Sequence, residues 1–148
     1  MLPCTRILVT ARHHAAESMA SYVLEGFLAA AMSDTSEGRE FRKKYVLYGV
    51  PLVDKDGVED GDQGENRKPH DHNRDYGEAS IYPEVQAIKD LDRKHDFQYA
   101  LDFHCPTLVM RDHQVMYFVG AKTHPAQNFD NVSEFARAIY QRVPHTAH

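Results

Sequence analysis

An apolar run leads directly into a helix-like pattern in Ile7-Leu-Val-Thr-Ala-Arg-His-His-Ala-Ala-Glu-Ser-Met-Ala-Ser-Tyr-Val-Leu-Glu-Gly-Phe27. The first three residues of this stretch are a compact β-branched and apolar run, which predicts a strand. After this run, apolar residues recur at helical spacing, so we expect a helix that starts near Ala15 and buries one stripe. That stripe consists of Met19, Val23, Phe27 and Ala30.

His14 and Glu17 lie at the junction between this strand and this helix. They are three positions apart, so in the first turn of a helix they project from adjacent positions and can meet at one point. Such a pair suits a metal ion, although a catalytic zinc site needs three protein ligands. The alternative is structural, because the helix dipole alone favours a glutamate in a first turn.

Composition indicates one globular domain over 1–148, with 42% hydrophobic residues and no apolar run long enough to cross a membrane. Seventeen basic and 22 acidic residues give a net charge of −5, and no cluster of lysine and arginine suits nucleic acid. Cys4 and Cys105 form no CxxC motif, which is typical of a reduced compartment. We expect a cytoplasmic protein that binds neither nucleic acid nor membrane.

The segment after the first helix mixes short elements with a long irregular stretch. The helix is expected to end near Met32, because cap and turn residues follow it. A short charged helix over Glu40–Lys44 and a strand over Tyr45–Tyr48 come next. From Asp54 to Asn73 the periodicity disappears, which predicts a long loop, and loops of this length are commonly functional or disordered.

The second half of the chain predicts a helix from Pro83, strands over Phe97–His104 and Val115–Val119, and a final helix over Ser133–Arg142. The residues expected to face inward from these helices are Val85, Ile88, Leu91, Phe135, Ala136, Ile139 and Tyr140. The alternation of strands and helices predicts an α/β fold: a three-layer α/β/α domain with a mostly parallel mixed sheet.

His104 is the third candidate metal ligand. It ends its strand, and Asp102 shares its face because side chains alternate along a strand. Sites in α/β sheets lie at the carboxyl ends of strands, and a close His/Glu pair followed by a distant histidine is typical of catalytic zinc. Ten histidines in the chain also make a chance combination of three polar residues easy to assemble.

Five short motifs occur in order between Ile7 and Pro106. They are Arg12-His-His14-Ala-Ala-Glu17-Ser-Met, Pro51-Leu-Val-Asp-Lys-Asp56-Gly57, Asn66-Arg67, Asp71-His-Asn73-Arg74-Asp-Tyr76 and Asp102-Phe-His104. In order and rough spacing the chain resembles the carboxypeptidase A-type zinc carboxypeptidases, in particular their cytosolic-carboxypeptidase and bacterial branch. The resemblance implies that His14, Glu17 and His104 bind one zinc ion per chain, since carboxypeptidase A has a His₂Glu site.

The resemblance also implies a substrate site. Asn73 and Arg74 would bind the free carboxylate of a peptide's C-terminal residue, and Arg67 would polarise the scissile carbonyl as a catalytic residue. The expected partner is therefore a peptide or protein C-terminus. Residue chemistry agrees, because arginine is a planar, bidentate partner for a carboxylate and can stabilise an oxyanion.

Two features depart from the family pattern. His72 stands where the family commonly has an apolar residue before Asn-Arg. The family also places a catalytic glutamate, the general base, on a strand after the third ligand, whereas here the one glutamate downstream of His104 is Glu134, in the predicted final helix. We therefore expect a partial domain that lacks this base and whose exposed sheet edges favour self-association.

Three functions compete on this sequence. The first is a zinc metallocarboxypeptidase, favoured by the long segment from Pro51 to Arg67. The second is a zinc-dependent deacylase of the aspartoacylase or succinylglutamate desuccinylase type, which Asp102-Phe-His104-Cys-Pro-Thr107 resembles. The third is a non-catalytic module that binds C-termini, which the expected absence of the glutamate favours.

Overall fold

The structure is a computed structural model that describes residues 4–105, 118–119 and 126–142. The chain divides into two compact units, Met1–Cys105 and Pro106–His148. None of the helices in the described ranges is long and apolar enough to cross a membrane. The expectation of one domain over the whole chain stays a prediction.

Three strands form a sheet in the first unit: β1 (Thr5–Ala11), β2 (Tyr45–Val50) and β3 (Tyr99–Phe103). Their order is β2-β1-β3, so β1 is central, and both pairings are parallel. Parallel neighbours need crossover connections, which the helices provide. The register sets Thr10 of β1 opposite Asp102 of β3. That pairing brings the carboxyl ends of β1 and β3 together.

Four helices belong to the same unit. They are α1 (Ser18–Met32), α2 (Ser36–Lys44), α3 (Lys55–Asp60) and α4 (Pro83–His95). The predicted end of α1 at Met32 and the predicted start of α4 at Pro83 are confirmed. α2 begins earlier than predicted, because the side chain of Thr35 caps it by accepting the N–H of Gly38 at 3.2 Å.

Apolar side chains cover both faces of the sheet, because alternate residues of β1 point to opposite sides. One buried cluster consists of Ile7, Val9, Ala11, Ala20 and Leu24, which joins β1 to α1. The other consists of Leu8, Val53 and Ile88, which joins β1 to α4, with Leu91 packed against it. The predicted three-layer α/β/α arrangement is confirmed, and the described sheet is entirely parallel.

The predicted buried stripe of α1 is largely wrong. Met19 is 62% exposed, Val23 is 52% exposed, and Ala30 is exposed as well. Only Phe27 of the four packs against the core. The buried positions are Ala20, Leu24 and Ala31. Apolar residues occupy two neighbouring faces of this helix, so periodicity alone does not determine which face meets β1.

The segment predicted as one loop over Asp54–Asn73 contains α3. The side chain of Asp54 caps this helix by accepting the N–H of Gly57 at 2.9 Å. Gly61 ends it in the left-handed region, at φ 76°. A helix this short is too brief to produce a recognisable hydrophobic period, so the prediction missed it.

In the second unit, helix α5 covers Ala126–Tyr140. It begins earlier than the predicted start at Ser133. The expected inward face is wrong at Tyr140, which is 66% exposed, and Phe135 is also exposed. Of the predicted strand Val115–Val119, positions 115–117 lie outside the described residues and 118–119 are not in a strand.

The corrected face of α1 gives a direct stability test. Leu24→Ala should destabilise the fold by about 2–5 kcal/mol, because it removes a fully buried side chain and leaves a cavity. The neighbouring Val23→Ala is the matched control and should change stability by less than about 0.5 kcal/mol. Urea unfolding followed by circular dichroism measures both. Equal losses for the two variants would mean that the helix face is assigned wrongly.

Candidate metal centre

The register of β1 against β3 brings the predicted ligands together. The hydroxyl of Thr10 donates to Oδ1 of Asp102 at 2.7 Å, which ties the two strand ends to each other. Just beyond β1, Arg12 has φ 63°, in the left-handed region, where the chain turns sharply. The ring of His14 then lies 4.8 Å from that of His104, measured between centroids.

Glu17 joins the two histidines. Its Oε1 lies 2.8 Å from Nδ1 of His14, and its Oε2 lies 2.8 Å from Nδ1 of His104. The N–H of Cys105 also donates to Oε2 at 3.0 Å. Glu17 is the N-cap residue of α1, which begins at Ser18 rather than near Ala15 as predicted. Two ring nitrogens and one carboxylate therefore converge from separate elements.

The charges of these groups depend strongly on one another. Burial alone would raise the pKa of Glu17, but hydrogen bonds from His104 and His14 outweigh it and lower the pKa to about 2. Burial alone would lower the pKa of His104, but its bonds to Asp102 and Glu17 raise it to about 10. The carboxylates thus favour positive charge at His104, and a bound divalent cation would displace the protons between these ligands.

The Nε2 atoms of the two histidines face other carboxylates. Oδ2 of Asp102 lies 2.6 Å from Nε2 of His104, and Oδ2 of Asp71 lies 4.0 Å from Nε2 of His14. Within the described part of the chain, Nε2 of His14 and Oδ1 of Asp71 are buried without a hydrogen-bond partner. Metal-binding histidines usually direct their second N–H to a carboxylate. The donor set therefore fits zinc held by both Nδ1 atoms and Glu17.

Sequence reasoning missed the role of His13. Its Nδ1 lies 2.8 Å from Oδ1 of Asp102, and its Nε2 lies 2.7 Å from the hydroxyl of Tyr76. Burial and the Asp102 carboxylate raise the pKa of the Tyr76 phenol. His13 and Thr10 both engage Oδ1 of Asp102, which leaves Oδ2 for His104. The sequence shows His13 next to His14, but its contact with Asp102 follows only from the register of β1 against β3.

The loop after α3 supports the ligand turn from behind. The N–H of Ala16 donates to the carbonyl of Gln63 at 3.0 Å. Gly64 has φ 111°, and a Cβ built there would lie 2.5 Å from Cα of His14. Glycine is therefore required at this close approach, both for its conformation and for its lack of a side chain.

The three residues predicted to bind or activate the substrate lie in different surroundings. Nδ2 of Asn73 lies 3.1 Å from Nε2 of His104, so Asn73 belongs to the centre. Arg74 is exposed, and its guanidinium makes no hydrogen bond or ion pair in the described ranges. Arg67 instead pairs with Asp54 at 3.4 Å and with Asp62. None of its side-chain contacts among the described residues reaches the candidate zinc ligands.

Comparisons with known proteins show what this chain is similar to. A metallo-carboxypeptidase from Burkholderia cenocepacia is similar in structure, with a TM-score of 0.76 and 24% identity in an alignment that covers 100% of this chain and 41% of that one. Cytosolic carboxypeptidase 6 of Caenorhabditis elegans is 32% identical over 92 residues, which are 61% of this chain and 20% of the relative. Cytosolic carboxypeptidase 2 of Xenopus tropicalis is 28% identical over 125 residues, 80% of this chain and 13% of the relative.

The sequence pattern of one family covers most of the first unit. The pattern described as zinc carboxypeptidase matches residues 4–101. The chain spans a fifth or less of the length of the two curated relatives above. Because the match covers well over half of the chain, the chain belongs to the zinc carboxypeptidase family.

Proposed function

We propose that this chain forms the zinc-binding and substrate-binding part of a metallocarboxypeptidase and recognises peptide C-termini. One zinc ion would be held by Nδ1 of His14, Nδ1 of His104 and the carboxylate of Glu17. The observation that carries this proposal is the convergence of both Nδ1 atoms on Glu17, at 2.8 Å each. The names of the relatives support a cytosolic location.

The protein's own residues would orient the substrate. Zinc in such a site polarises a carbonyl and lowers the pKa of its bound water to about 7. Asp102 and Asp71 would keep the histidine rings turned with Nδ1 inward. Asn73, beside His104, and Arg74, with its free guanidinium, would bind the terminal carboxylate. Such a site would act on the residue at the C-terminus of a peptide and not at an internal peptide bond.

Arg67 would act on the scissile carbonyl. A guanidinium near zinc stabilises the negative charge that develops on that oxygen. In the structure, Asp54 and Asp62 hold the Arg67 side chain, which is 20% exposed. To act on the carbonyl, this guanidinium would have to contact the substrate from the position where Asp54 and Asp62 hold it.

A second candidate is a module that binds C-termini without cleaving them. Among the described residues, Glu17 is the one glutamate that contacts His14 or His104, and as a zinc ligand it is not available as a general base. Glu134, the one glutamate downstream of His104, lies exposed on α5. The deacylase reading is the third candidate, and a screen with small acyl substrates would separate it from the other two.

Zinc binding tests the ligand assignment. His14→Ala and His104→Ala should each weaken zinc affinity by more than about 100-fold. That is the upper end of the loss typical for residues that only hydrogen-bond to a metal ligand. His95→Ala is the control, because His95 packs on Tyr48 and makes no contact with the candidate ligands. Competition with a chromophoric chelator measures the affinity. A double alanine variant that keeps full zinc content would refute the assignment.

Carboxylate recognition tests the substrate site. Arg74→Ala should weaken binding of a peptide with a free C-terminal carboxylate by about 1.5–3 kcal/mol, because it removes a charge-assisted partner. Binding of the matching C-terminal amide should change little. Arg93→Ala, which removes an exposed charge paired with Asp90, controls for net charge. Equal losses for acid and amide would remove Arg74 from the site.

Peptide hydrolysis separates the enzyme from the binding module. A positioned general base contributes about 10²–10⁴-fold in rate, so we expect the zinc-loaded chain to release C-terminal residues slower by about that factor than a longer bacterial relative. Release of amino acids from free and amidated peptides measures this rate. Comparable rates for the two proteins would contradict the expectation, and a Glu134→Gln variant then tests whether Glu134 supplies the base.

A further inference from the structure

His72 is fully buried, and both of its ring nitrogens face carboxylates. Its Nε2 lies 2.5 Å from Oε1 of Glu84, and its Nδ1 lies 3.8 Å from Oδ2 of Asp54. The ring also stacks on Tyr82, with centroids 4.0 Å apart and planes at 20°. Asp54 caps α3, Glu84 belongs to the first turn of α4, and His72 begins the 3-10 turn between them. One imidazole thus links three elements.

Asp54 continues this link to Arg67. The Asp54 side chain is completely buried, and its Oδ1 lies 3.4 Å from Nη2 of Arg67 and accepts the N–H of Gly57. Its Oδ2 faces His72. A Cβ on Gly57 would lie 2.3 Å from that Oδ2 and 2.8 Å from Nη1 of Arg67, so the packing leaves no space there. One buried carboxylate therefore lies between Arg67 and His72.

His72 also sets the start of the turn that carries Asn73 and Arg74. The N–H of Arg74 donates to the carbonyl of Asp71, and the N–H of Asp75 donates to the carbonyl of His72, both at 3.1 Å. The turn contains three residues, so its direction is determined by where His72 is held. Movement of the imidazole would change the direction of the two side chains that follow it.

The group formed by Asp54, His72 and Glu84 is close enough to resemble a metal site, but its geometry does not suit one. Glu84 and Asp54 face different nitrogens of the same ring, and the group offers three ligands. Structural zinc needs four such ligands around one point. Nδ1 of His72 and Oδ2 of Asp54 face each other at 3.8 Å, longer than a hydrogen bond, and both atoms are buried without a hydrogen-bond partner among the described residues.

We propose that His72 is a positioning residue that holds Asn73 and Arg74 in a fixed arrangement for a C-terminal carboxylate, and through Asp54 also holds Arg67. This inference rests on the proposed function. An apolar side chain could fill the same volume, but it would leave the buried carboxylate of Asp54 facing an apolar group, which is costly. The histidine thus connects Asn73 and Arg74 to Arg67, and it also fills the space between them.

Binding measurements on the zinc-loaded full chain test the proposal. The measured quantity is the ratio of the affinities for a peptide acid and its amide. His72→Leu keeps apolar bulk but loses both nitrogens, and should lower this ratio by about tenfold. His72→Gln keeps a donor for Glu84 and should restore part of the preference. If His72→Leu fails to fold, Glu84→Gln tests the contact between His72 and Glu84 from its less buried side.

His95→Leu is the matched control, because His95 packs on Tyr48 much as His72 packs on Tyr82 but lies outside the network. It should leave the ratio unchanged, and every variant should keep one zinc per chain. An unchanged ratio in folded His72→Leu and Glu84→Gln overturns the inference alone. Loss of a second bound zinc in His72→Leu also overturns it, in favour of a metal at this group. A wild-type chain without acid preference overturns the proposed function together with the inference.

Discussion

The candidate metal centre depends on the carboxylate of Glu17, which lies between two imidazole rings. Its two oxygens engage Nδ1 of His14 and Nδ1 of His104, while Asp71 and Asp102 face the opposite nitrogens. Carboxylates alternate with the two imidazole rings, so two ring nitrogens and the Glu17 carboxylate converge on one point. A divalent cation satisfies such a point better than protons do, because it binds all three donors at once.

This convergence is a consequence of sheet pairing. Parallel strands end at the same edge, and the register of β1 with β3 puts Thr10 directly opposite Asp102. The left-handed backbone at Arg12 then turns the chain at the end of β1, and Gly64 lets the loop after α3 pack against the backbone of His14. A change of register by one residue would turn Asp102 and His104 together to the other face of the sheet and separate them from Thr10 and His14.

The sequence was sufficient for the layered α/β fold, and motif spacing and strand ends singled out His14, Glu17 and His104, which the structure brings together. It was not sufficient for the buried face of α1, where Leu24 rather than Val23 faces β1, since packing decides between two apolar faces. Nor did it predict the contacts of His13 and His72 with Asp102 and Asp54, because these pairs are distant in sequence or lie across an irregular segment.

The proposed metal centre requires each histidine to bind zinc through one particular ring nitrogen. Long-range ¹H–¹⁵N NMR of the histidine rings in the zinc-loaded chain measures this directly, since metal-bound and protonated nitrogens have different chemical shifts. We expect His14 and His104 to bind zinc through Nδ1 and to carry a proton on Nε2. Zinc on Nε2 of either ring, or a zinc-bound state in which neither ring changes, would contradict it.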